Sequence, residues 1–195
     1  LVVGVAVYLV ARKKSNKKSF WTAKTMAVGA MCMALSSVLS LIKLWPMPMG
    51  GSVTPASMLP LLLFAYCYGV GPGMVLGALY GVMQFLLDGM AWAALGAIPN
   101  LLDYPIAFGL LGLAGCFRGS KAKMTAGFVL GCFGRFMASF LSGFIFYGQY
   151  APEGVNPVWY SLTYNGSYML VECIICIALG LLVGERLAKE LKKVA

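Results

Sequence analysis

Between Thr25 and Val183 the sequence is a succession of apolar runs separated by short Pro- and Gly-rich breaks. Runs of this length have few soluble solutions, because about 20 consecutive apolar residues are what one helical membrane crossing requires. Composition agrees. The 195 residues are 61% hydrophobic and only 11% charged, with a mean hydropathy of +0.84, whereas a soluble domain is about 45–50% apolar and about a quarter charged. The expected fold class is an all-α membrane protein, a six-transmembrane-helix bundle.

The expected spans are 25–44, 56–68, 74–87, 93–117, 125–147 and 162–183. Residues 1–24 read as an apolar stub, the end of a longer helix or a leader, followed by a basic segment. Residues 25–184 form the membrane domain, and 185–195 a basic amphipathic tail. A tight inner turn is expected at Gly69–Gly73, and the Trp45–Pro55 segment reads as an ordered outer loop whose Met47 and Met49 can lid a pocket. Prolines 99 and 105 should disturb the fourth helix in its outer half.

The net charge of +9 does not point to nucleic acid. Nearly all basic residues fall in clusters at Arg12–Lys24, Arg118–Lys123 and Arg186–Lys193. With six spans these lie on one side, as the positive-inside rule requires. The N-terminal basic segment and the C-terminus are therefore expected in the cytoplasm. All six cysteines lie in apolar runs and there is no His. Cys173 and Cys176 read as packing residues, and neither a metal nor a cofactor is expected.

The chemistry concentrates at one end. Ser139–Tyr168 leaves one apolar run through a Pro/Gly loop and enters another. It sets out Tyr147, Tyr150, Trp159, Tyr160, Tyr164, Asn165 and Tyr168 on the way, as one wall of a small-molecule site facing outward. Some of these rings belong to an ordinary interfacial belt. Intramembrane ionisable residues are functional candidates by default. Asp103, beside Tyr104 and between two prolines, is the candidate for a cation or ring N–H. Arg135 reads as structural, and Glu172 either pairs with Arg135 or lines the pocket floor. Ala30 and Ala34 form a small-xxx-small pair suited to close helix packing. An enzyme using Asp103 and Glu172 as acid and base lacks a nucleophile or metal set, and there is no Walker A motif. A binding subunit that draws energy from partners fits better.

The runs LLDYPIAFGLLGLAG (101–115), RFMASFLSGFIFYGQYAPEGVNPVWYSLTYNGSYML (135–170) and MPMGGSVT (47–54) resemble the thiamine-specific S component of energy-coupling factor (ECF) vitamin transporters. The resemblance implies a bacterial multi-pass membrane protein with an outward thiamine pocket, a transmembrane coupling subunit and two cytoplasmic ATPases as partners. It implies that Asp103 and Tyr104 meet the thiazolium or aminopyrimidine, and that Gly143 admits the ligand to the backbone. Tyr147 would stack, and Tyr160 and Asn165 would hydrogen-bond the aminopyrimidine. Ala30 and Ala34 would dock the coupling subunit. Ser139 stands where members carry His, which opens the alternative of a thiamine precursor or related cationic heterocycle as ligand.

Overall fold

The computed structural model describes residues 21–47, 50–90 and 96–194. The apolar stub, most of the N-terminal basic segment and Met49 lie outside the described residues. Helix α1 (Ala23–Leu41) starts where the Thr22 hydroxyl accepts from the Thr25 N–H at 3.1 Å, an N-cap that satisfies one orphan donor. Its buried residues Thr25, Val28, Gly29, Cys32, Ser36 and Ser40 recur at helical spacing. Ala27, Ala30 and Ala34 fall on the opposite, exposed face.

A small hairpin follows, with β1 (Trp45–Pro46) antiparallel to β2 (Ser52–Val53). Helix α2 (Leu59–Tyr68) is only 10 residues long and every one of them is buried. At 1.5 Å per residue it reaches about 15 Å, half of a bilayer core. The expected 56–68 span is therefore a short central helix, because residues 54–58 form a turn and not a first helical turn. Among the described residues, five other helices are long and apolar enough to cross a membrane.

The break between α2 and the next helix is also tighter than expected. Gly69 alone, at φ +101, forms it, and Val70 already begins α3 (Val70–Gln84), which ends in a π-turn, Phe85–Gly89. Helix α4 (Ala97–Cys116) carries a π-turn at Leu102–Ile106 and tightens to 3-10 geometry over Leu111–Cys116. Pro105, which lacks an N–H, sits within that π-turn. Helices α3 and α4 touch backbone to backbone: a Cβ on Gly77 would overlap the Phe108 carbonyl, and one on Gly81 the Tyr104 carbonyl.

Helix α5 (Lys121–Phe146) is capped by Ser120. Helix α6 (Pro157–Leu179) is capped by Asn156, whose Oδ1 accepts from the Val158 N–H at 2.8 Å. A π-turn at Gly180–Gly184 joins α6 to α7 (Glu185–Val194). This tail does more than lie at a surface. Ala188 is buried, and the Tyr68 hydroxyl donates to the Leu191 carbonyl at 2.7 Å. The basic end of the bundle is thus closed by α7 against α2, with Arg118 donating to the Cys67 carbonyl at 3.4 Å.

Candidate functional site

At the opposite end, α3, α4, α5, α6 and the hairpin loop surround a cavity of about 130 Å³. Its wall brings together Asp103, Tyr104, Ser139, Gly143, Tyr147, Tyr160 and Asn165. Residues from the fourth, fifth and sixth spans, far apart in sequence, thereby meet in one place.

Asp103 projects from the π-turn of α4, the stretch that the Gly81 contact holds against α3. Its Oδ2 accepts the Ser142 hydroxyl at 2.7 Å, and Ser139 and Tyr147 face the same carboxylate. Ser142 was not among the residues expected at the site. It lies three residues past Ser139 on α5, so helical spacing alone places the two hydroxyls on one face. Ser139 thus lines the cavity on the face that Asp103 shares.

The aromatic wall is a ladder on α6. The Tyr160 and Tyr164 rings stack 6.0 Å apart, and Tyr164 meets Tyr168 edge-on at 5.8 Å. The Tyr164 hydroxyl accepts the Gly51 N–H at 3.0 Å and so ties the hairpin loop to the wall. Tyr147 packs against Tyr150. Trp159, one residue from Tyr160, is 64% exposed and is absent from the cavity wall, because a step of one residue turns a helix face by about 100°.

Asn165 is held by the protein itself. Its amide nitrogen donates to the Ser161 carbonyl at 3.0 Å and to the Ser161 hydroxyl at 3.2 Å, and its oxygen accepts from Tyr168 at 3.1 Å. Gly143 faces the same group: a Cβ there would overlap the Ser161 hydroxyl and come within 3.0 Å of the Asn165 amide. The close approach Gly143 permits is thus between α5 and α6, at the edge of the cavity.

Two charged residues lie deeper. The Arg135 guanidinium sits over the Phe108 ring, 4.1 Å from its centre, and its Nε and Nη1 are buried without an acceptor among the described residues. Glu172 is not ion-paired with it. Glu172 lies on the cavity floor and accepts the Thr54 and Ser57 hydroxyls. These two partners are more than a hundred residues away in sequence, and no local pattern announces them. At the mouth, Lys43 and Asp88 pair at 2.9 Å.

Acidic and hydroxyl groups among stacked tyrosines, inside a membrane bundle, suit a flat ligand that carries positive charge or ring N–H donors. Comparison with known proteins bears on the same question. The family model described as "Thiamine transporter protein" matches residues 26–191. A curated relative from Bacillus subtilis (strain 168), named thiamine transporter ThiT, is 38% identical over 144 residues, covering 67% of this chain and 73% of the relative. A solved structure of ThiT from Listeria monocytogenes superposes with a TM-score of 0.74 at 20% identity, over 86% of this chain and 96% of that one. A structure described as the S component of a bacterial ECF transporter superposes with a TM-score of 0.59, also at 20% identity, over 87% of this chain and 98% of that one. The two structures speak for the fold. The family model, which spans most of the sequence, and the curated relative go further: the chain belongs to the thiamine transporter protein family.

Proposed function

We propose that the chain is the thiamine-binding membrane subunit of an ECF-type importer, with ATP hydrolysis done by partner subunits. One observation carries the reading: the Asp103 carboxylate stands in a membrane-embedded cavity lined by tyrosine rings. In such a site a carboxylate attracts a cation far more strongly than it does in water, and the rings offer faces to a flat heterocycle. Tyr104, Ser139, Tyr147 and Tyr160 complete the wall around the ligand. Asn165 and Gly143 set the spacing of α5 and α6 around it.

The cavity opens to the outer face and the basic end faces the cytoplasm, by the positive-inside rule. The exposed Ala30–Ala34 face of α1 is the docking site for a transmembrane coupling subunit, which in turn carries two ATPases. A relative of thiamine is the second reading, and the observation behind it is Ser139. A hydroxyl can hold Asp103 but offers no ring to a ligand.

Uptake tests the assignment. Cells lacking their own thiamine transport, supplied with this chain, a coupling subunit and the ATPases, are expected to accumulate labelled thiamine. Omission of the ATPases or Asp103→Asn should abolish most of that uptake. Competition with thiamine phosphates and the free aminopyrimidine separates the two readings. Uptake that survives both the ATPase omission and Asp103→Asn contradicts the proposal.

A further inference from the structure

Recognition as described above uses Asp103 and the tyrosine wall and makes no use of Glu172. Yet Glu172 is the most deeply placed acid of the cavity. It is 1% exposed and lies on the cavity floor. Its Oε1 accepts the Thr54 hydroxyl at 2.5 Å and the Ser57 hydroxyl at 2.8 Å. Among the described residues no hydrogen bond or ion pair reaches Oε2. Arg135, the one basic side chain among the described residues of the same wall, stacks over Phe108, leaves its Nε and Nη1 without an acceptor among the described residues, and forms no ion pair with Glu172. A buried carboxylate with an unfilled oxygen is costly unless a partner reaches it, and the space beside this one is the ligand cavity.

The far side of the interaction is a strained turn. Ala56, between the two hydroxyl residues, is 1% exposed and has φ +66. That region is disfavoured for any residue with a Cβ and persists only where surrounding contacts fix it. Thr54 also accepts the Ser57 N–H at 3.1 Å. The turn is where the hairpin loop joins α2, and Gly50, Gly51, Ser52 and Thr54 of that loop border the cavity.

We propose that Glu172 is a two-sided positioning residue, whose Oε1 holds the Thr54–Ser57 turn and whose Oε2 receives a cationic or N–H donor group of the bound ligand. The inference rests on the cavity being the thiamine site and deepens that reading. One carboxylate then links the filling of the cavity to the placement of the loop beside it.

Two variants separate the two oxygens. Glu172→Gln keeps an acceptor for the turn and puts an amide donor where Oε2 stood. The paired substitution Thr54→Val and Ser57→Ala keeps the carboxylate and removes the hold on the turn. Thiamine affinity and amide hydrogen exchange over residues 50–58 are measured for each in detergent. Glu172→Gln is expected to weaken thiamine at least tenfold with exchange in the ligand-free protein unchanged. The paired variant is expected to speed exchange across the turn at least tenfold and to reduce the protection that thiamine gives the loop.

Affinity within twofold of the parent in Glu172→Gln overturns the ligand half, and unchanged exchange in the paired variant overturns the hold on the turn. Should Glu172→Gln fail to fold, the paired variant decides alone: unchanged exchange with unchanged affinity overturns the proposal. A parent protein that does not bind thiamine at all removes the assigned function, while exchange in the ligand-free proteins still decides whether Glu172 holds the turn.

Discussion

The two helix seams that flank the cavity are built in opposite ways. Along α3 and α4, Gly77 and Gly81 bring backbone against backbone. Along α5 and α6, the contacts are a mesh of small hydroxyls and an amide, with Ser161 donating to the Phe140 carbonyl at 2.8 Å and the Asn165 amide donating to the Ser139 carbonyl at 3.4 Å. The closest contacts of the first seam are backbone, which cannot rotate away, with the Tyr80–Phe108 and Phe85–Tyr104 ring pairs beside them. This seam fixes the π-turn that presents Asp103. The second carries most of the wall and is held by groups that can exchange partners. The lesson is a division of labour: a rigid seam holds the charge and a polar seam shapes the surface around it.

Substitutions can break this contrast. Gly77→Val has the largest expected effect. Its side chain meets carbonyl backbone, which cannot rotate away, so the loss should reach about 3 kcal/mol or more. The check is the yield and thermal midpoint of folded protein in detergent. Gly143→Ala is expected to cost less, about 1–2 kcal/mol, because Ser161 can turn aside, though only by giving up a hydrogen bond. Here thiamine affinity should fall along with stability, and a stability loss equal to that of Gly77→Val would erase the distinction between the seams.

Ser142→Ala sharpens the comparison from the ligand side. It removes the donor that orients Asp103, a loss of about 1 kcal/mol, or roughly fivefold in thiamine affinity, with the melting temperature little changed. Lys43→Ala is the smallest. The Lys43–Asp88 pair is exposed at the mouth and outside both seams, where such pairs contribute about 0–1 kcal/mol. Its effect on affinity should shrink further as salt is raised, which a binding series at two ionic strengths reads directly.

The parts of this arrangement that were legible in the sequence are those with a local cause. Apolar runs and basic clusters mark the spans and their shared end. Two prolines around Asp103 mark the disturbed stretch of α4. Tyr147, Tyr160 and Asn165 stand out because polar aromatic residues crowd the junction of two apolar runs. What escaped depends on rotation and distance. Trp159 and Tyr160 are neighbours in sequence but face apart on α6, and no apolar pattern fixes the phase at a helix start. The length of α2 escaped because an apolar run does not reveal that Thr54–Met58 is spent on a turn. Ser142, Thr54 and Ser57 are small hydroxyls of the kind found throughout membrane helices, and only the fold brings them to Asp103 and Glu172.

The positions of the tryptophans also decide how the site is best assayed. Among the described residues Trp21, Trp45 and Trp159 are all exposed, so none of these three is a good reporter of the cavity. The most direct measurement is equilibrium binding of labelled thiamine to the purified protein in detergent, with Asp103→Asn beside it. The account predicts saturable binding at one site per chain, weakened about tenfold to a hundredfold by a substitution that keeps the shape and removes the charge. Equal affinity in the two proteins would contradict it, because the carboxylate in the cavity would then not be what holds the ligand.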